Sequence, residues 1–122
     1  MCIDHIGISV ANFEESKAFY AQALEPLGID IVMEFDGWAG MGRAGKPAFW
    51  FGEGGAARGP IHIAFHAEDR GQVRQFHAAA VAAGGKDNGA PGIRAHYHPN
   101  YFGAFVIGPD GHNIEAVCHR PE

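Results

Sequence analysis

Two imidazoles and one carboxylate, His5, His62 and Glu115, sit in stretches of this sequence that suit chemistry as well as packing. His5 alternates with Gly7 and Ser9, so its face of a strand-period segment is kept small, while Ile6, Ile8 and Val10 fill the other face. His62 has only Ala64 beside it on its own face, and Glu115 stands mid-strand in Asn113-Ile114-Glu115-Ala116-Val117, where an acid is costly if buried without a partner. Two imidazoles and a carboxylate suit a divalent cation and leave adjacent coordination positions open, as in the two-His, one-carboxylate iron sites. Each residue also has a plainer role: a strand histidine is commonly a hydrogen-bonded structural group, and Glu115 can face solvent. Spacing alone does not gather the three.

A second group lies in His96-Tyr97-His98-Pro99-Asn100-Tyr101-Phe102, with two His and two Tyr in one loop-like stretch. One reading makes it pocket lining, with His98 or Tyr97 moving protons or bonding a substrate oxygen. A second makes His96 and His98 metal ligands on one strand face, and a third makes the stretch an aromatic turn over the edge of the core. Trp38, Trp50 and Phe102 are candidate apolar walls for a substrate, or plain core. Gly40 to Gly45 matches GxGxxG, but no βαβ unit surrounds it, which excludes dinucleotide binding, and Lys46 does not complete a phosphate loop. Ser9 is no nucleophile elbow and no catalytic triad is visible. His66, His77, His112 and His119 are assigned to surface or structure.

The elements that position these residues occur twice. A strand over Ile3–Val10 leads to Asn12, an N-cap with Glu15 three residues on, and to a helix whose inner positions are Phe19, Tyr20, Ala23 and Leu24. The helix stops near Pro26 and Gly28. Strands are expected over Ile29–Phe35 and Ala48–Phe51, with a glycine-rich turn region between them. A strand over Ile61–Ala67 then restarts the pattern, with Asp69 as N-cap and a helix through Val73, Phe76, Ala80 and Val81 that ends at Gly84-Gly85. Strands over Tyr101–Ile107 and Asn113–His119 follow, the second after the turn Pro109-Asp110-Gly111. His5 and His62, Ile6 and Ile63, Asn12 and Asp69, Phe19 and Phe76, Ala23 and Ala80, and Gly28 and Gly85 all stand 57 residues apart. The repeat favours two βαβββ-like modules, roughly 1–57 and 58–122, in a single domain.

The 122 residues make one domain at the usual ~100–200 residues each, and 47% hydrophobic with 19% charged residues excludes disorder for most of the chain. A net charge of −5 repels phosphate backbones and anionic lipid, so neither nucleic acid nor membrane is an expected partner. No apolar run reaches the ~18–20 residues of a bilayer span, and Met1 to His5 carries no secretory pattern. Cys2 and Cys118 are read as two reduced thiols in a cytoplasmic protein.

Asp4-His5-Ile6-Gly7-Ile8-Ser9-Val10, Phe19-Tyr20 with Leu24 and Gly28, His62-Ile63-Ala64-Phe65, and Pro109-Asp110-Gly111-His112-Asn113-Ile114-Glu115 resemble the vicinal oxygen chelate superfamily. This is the group of glyoxalases, bleomycin-resistance proteins and extradiol dioxygenases. The resemblance implies an α+β fold in which two βαβββ modules form a curved, open, mixed sheet with helices on its outer face. It implies that His5, His62 and Glu115 are the ligands of a divalent ion (Zn, Mn, Fe or Ni) that binds a small substrate through two adjacent oxygens. Isomerase, lyase or ring-cleaving dioxygenase chemistry would follow. It also implies a homodimer in which His5 of one subunit can join His62 and Glu115 of the other. The fourth, glutamate ligand of glyoxalase I has no counterpart inside Ala48-Phe49-Trp50-Phe51, and Glu53 lies just past that strand. The alternative is a metal-free protein that sequesters a drug, as bleomycin-resistance proteins do.

Overall fold

A computed structural model describes residues 3–53 and 60–122. Cys2 and the expected module boundary at 57/58 lie outside the described residues. Within them, β1 (Ile6–Ser9) runs into α1 (Phe13–Leu24), a single 3-10 turn (Glu25–Leu27), and then β2 (Asp30–Phe35), β3 (Trp38–Arg43) and β4 (Lys46–Gly52). The order then repeats as β5 (His62–His66), α2 (Arg70–Ala82), β6 (Lys86–Ile93), β7 (Phe102–Ile107) and β8 (Asn113–Cys118). Hydrogen bonding divides the strands into two four-stranded sheets, ordered β1-β4-β3-β2 and β5-β8-β7-β6. In each, the first strand pairs in parallel with the last, and the remaining pairs are antiparallel. This is the expected α+β fold of two βαβββ modules. No helix among the described residues is long and apolar enough to cross a membrane.

The 57-residue repeat is visible in the atoms. The side chain of Asn12 accepts from Glu15 N and that of Asp69 from Gln72 N, so both helices begin with the same capping bond. Phe19, Phe76, Ala23 and Ala80 are all buried. The correspondence breaks at the helix ends. Gly28 has φ +76°, whereas the left-handed residue after α2 is Gly84, at φ +104°. Gly85 is required for another reason: a Cβ there would stand 2.4 Å from Val106 Cγ1.

One core underlies both modules. Tyr20 packs its ring against Phe49 and Phe51 at 5.0 and 5.2 Å, and Phe49 reaches across to Phe65 at 5.4 Å, joining the sheets. Phe19, Tyr20, Phe51 and Phe76 are each almost fully buried, at roughly 1.5–3 kcal/mol of stabilisation per large side chain. The alternate positions of the strands therefore face away from the helices, and this open face carries the candidate site.

Two strands, β3 and β6, fall where the sequence suggested turns or nothing definite. Their glycines disguise them. Trp38 pairs across the sheet with Gly52, and Trp50 with Gly40. A Cβ at Gly52 would come within 2.5 Å of the Trp38 ring, and one at Gly40 within 2.9 Å of Trp50. Each indole thus lies over a glycine of the neighbouring strand, and a glycine-rich segment is extended because aromatic rings take the space of its missing side chains.

Candidate functional site

On the open face of the second sheet, Glu115 projects from β8 and is fully buried. Its Oε1 accepts from His62 Nε2 at 2.7 Å, and its Oε2 accepts from the Tyr101 hydroxyl. Register explains the meeting: β5 and β8 run in parallel with His62 opposite Asn113, which leaves Glu115 one pleat along on the same face. Ala64 and Gly103 leave the space open. A Cβ at Gly103 would stand 3.2 Å from both Glu115 Oε2 and Tyr101 Cε1. Burial, followed by the bond to Glu115, raises the Tyr101 pKa above the ordinary tyrosine value, so this phenol is a neutral donor at physiological pH. A buried carboxylate needs positive charge beside it. The half-exposed His62 and Tyr101 between them hydrogen-bond both of its oxygens. One imidazole nitrogen and one carboxylate oxygen aimed at each other are suitable donors for a divalent ion.

The open face of the first sheet differs. His5, just before β1, is exposed and its Nδ1 bonds Asp4 Oδ1 at 2.8 Å. That bond, followed by one from Lys46, holds the Asp4 carboxyl below the usual carboxylate range. A carboxylate on one ring nitrogen fixes the tautomer that offers the other to a ligand. Beside His5 lies an open groove of about 620 Å³ whose walls include Trp38, Trp50, Phe35 and Pro47.

The sequence-derived candidates therefore separate into two groups. His62 and Glu115 meet; His5 keeps company with Trp38 and Trp50 on the other sheet. Among the described residues no three His, Cys, Asp or Glu side chains of one chain cluster as a metal-binding group. The Tyr97 ring packs at a tilt against Tyr101, 4.9 Å between centroids, next to the Glu115 site but exposed. His98 accepts from Asn100 N on Nδ1 at 3.0 Å and lies 5.7 Å from the His119 ring. His96 and Tyr97 belong to a turn and His98 follows it directly, so His96 and His98 do not share a strand face. Phe102 is on the helix side, 6% exposed, with the guanidinium groups of Arg70 and Arg74 at 5.0 and 4.9 Å from its ring. That places it in the core rather than beside the tryptophans. Glu53 accepts from Phe13 N at 2.7 Å and so serves the start of α1.

Tyr101 is the side chain of this cluster that sequence reasoning passed over in favour of its neighbours. The signal was present in Tyr101-Phe102-Gly103: an aromatic two positions before a glycine shares its face and can lie over the gap.

The family model described as glyoxalase/bleomycin resistance protein/dioxygenase superfamily matches residues 2–116. No curated protein matches the sequence. Among solved structures, a glyoxalase/bleomycin resistance protein from Albidiferax ferrireducens is 26% identical, with a TM-score of 0.83 over 94% of this chain and 97% of its own. A glyoxalase/bleomycin resistance protein/dioxygenase family enzyme from Burkholderia phytofirmans is 16% identical (TM-score 0.71, 97% and 98% covered). A glyoxalase-related enzyme from Fulvimarina pelagi is 19% identical (TM-score 0.73, 96% and 87% covered). The last two are alike in fold. With the family model spanning almost all of its length and the paired βαβββ modules in place, this chain belongs to the glyoxalase/bleomycin resistance protein/dioxygenase superfamily.

Proposed function

We propose that the chain is a metal-dependent enzyme acting on a small molecule through two adjacent oxygens, and that it works as a homodimer. His62 and Glu115 of one subunit and His5 of a second copy would hold the ion. The observation that carries this reading is the fully buried Glu115 carboxylate facing His62 on an otherwise open sheet face. Dimerisation is what would bring His5, which sits on the other sheet, to the remaining position. When bound, the ion would supply Lewis-acid stabilisation of charge building on the substrate oxygens, as isomerase, lyase or dioxygenase chemistry needs. The chain's own residues do the rest. Tyr101 holds the outer oxygen of Glu115, so that one carboxylate oxygen stays aimed at His62. Asp4 orients His5. Tyr97 and His98, at the edge of this cluster, are the groups assigned here to hold or move a proton.

Titration calorimetry of the purified dimer with Mn²⁺, Fe²⁺, Zn²⁺ and Ni²⁺ tests the ligand set. Glu115→Ala is expected to lower the affinity for the preferred ion by about tenfold or more, through loss of a charged ligand. Equal affinity in the variant would remove Glu115 from the centre, and a monomer in sedimentation at micromolar concentration would remove the shared site. A second reading, a metal-free binder of an apolar ligand, draws support from the tryptophan groove. It predicts substoichiometric metal that His62→Ala leaves unchanged.

A further inference from the structure

Next to the Glu115 cluster, on the same open face, is a smaller hollow of about 250 Å³ lined by Asn88, Arg94, His96, Tyr97, Phe105 and Asn113. Its cation is built in. The Arg94 side chain folds back along its own strand, donating from Nη1 to Gly92 O and from Nη2 to Ala90 O, both at 2.9 Å. A Cβ at Gly89 would stand 2.9 Å from Nη2, and one at Gly92 3.3 Å from Nη1, so both glycines make room for the guanidinium. Its backbone N–H bonds Tyr101 O at 2.7 Å, which ties the hollow to the residue that holds Glu115. The ion pairs among the described residues do not include Arg94. Two of its five N–H donors are spent on the backbone, and a half-buried guanidinium without a counter-ion has the remaining three for a ligand.

We infer that Arg94 binds the carboxylate of a substrate whose reacting end lies at His62 and Glu115. The link between the two ends is Phe105. Its ring lies 5.2 Å beneath the Arg94 guanidinium carbon and 6.0 Å from the His62 ring, and its Cα partner on β8 is Glu115 itself. Asn113, the cross-strand neighbour of His62, closes the gap with Asn88, whose Nδ2 donates to Asn113 Oδ1 at 3.3 Å. A planar or aromatic body alongside Phe105 with a carboxylate on the guanidinium matches these surfaces. One fork-shaped cation in a small hollow suits the two oxygens of a carboxylate, whereas a phosphate of higher charge gathers more donors. The position of the substrate's other end rests on the proposed metal centre; the carboxylate subsite does not.

NMR titration of the metal-free dimer in EDTA, with benzoate and its neutral isostere benzamide as probes, separates the two questions. Benzoate is expected to bind about tenfold more tightly than benzamide, the worth of a charge-assisted pair. Arg94→Gln should erase the difference, and Arg94→Lys, which keeps the charge without the fork, should restore part of it. Equal binding of the two probes by the unmodified protein would overturn the subsite whether or not the variants fold. So would inorganic phosphate binding more tightly than benzoate. A protein that shows the benzoate preference in EDTA but takes up no divalent ion would keep this subsite and sink the metal centre instead.

Discussion

The two open faces are built on one plan and filled in opposite ways. On the first sheet, glycines at 40 and 52 lie beneath Trp50 and Trp38, so the missing side chains are replaced by indole surface and the face becomes an apolar wall. On the second, Gly103 lies beside Tyr101 and Glu115, and Gly89 and Gly92 lie beneath Arg94, so the space goes to polar and charged groups. The same residue type thus has two uses. Beneath an indole it permits flat packing; beside a carboxylate or beneath a guanidinium it makes room for a polar group to reach its hydrogen-bond partners.

This contrast can be broken from either side. Gly52→Ala drives a methyl into the Trp38 ring and should cost about 1–3 kcal/mol in denaturant unfolding, the range for overpacking. An unchanged midpoint would mean that the indole is not seated there. Tyr101→Phe leaves Glu115 Oε2 without its donor and should cost about 1–2 kcal/mol at neutral pH. It should also change the alkaline limb. Below the unfolded tyrosine value of about 10, the folded and unfolded phenols both keep their proton and the contribution is complete. Above it the unfolded phenol ionises first, because the folded value is raised, so stability falls as pH rises. Unfolding midpoints measured above pH 10 should fall less steeply in Tyr101→Phe, and equal slopes would contradict the assignment. Gly103→Ala asks its neighbours to move only a few tenths of an ångström, so stability should change by less than about 1 kcal/mol. With the proposed metal centre in place, calorimetry is expected to show a few-fold loss of divalent-ion affinity. Asp4→Asn should leave the melting temperature unchanged, since both Asp4 and His5 are in solvent, where such pairs are worth little.

Much of the frame was legible because it is written in local chemistry. Asn12 and Asp69 are good caps in front of periodic apolar residues, and the matching positions 57 apart carry the same job in both modules. His62 and Glu115 could be singled out because a histidine and an acid in strands with small neighbours are poor core residues. What brings them together is the parallel register of β5 and β8, a long-range pairing that no local pattern specifies. Tyr101 was hidden for the same reason, since its value lies in a carboxylate 14 residues away. β3 and β6 were obscured by glycines that look like turn formers until the rings and the guanidinium above them are seen. Phe102 went the other way: an aromatic at the start of a strand says nothing about which face it takes, and here the arginines of α2 cover it.

Glu53 and Asp110 also stand 57 residues apart, yet both carboxylates converge on the beginning of α1. Glu53 takes the amide of Phe13, and Asp110, from the other module, takes the amide of Ala11 and the hydroxyl of Ser16. Two negative charges at the positive end of one helix stabilise it through its dipole. Because one of them is lent by the far half of the chain, the start of the first helix is coupled to the second module. The amide of Ala11, held by Asp110, should therefore exchange its hydrogen more slowly while the two halves stay packed, so that one position near the first helix reports on their contact.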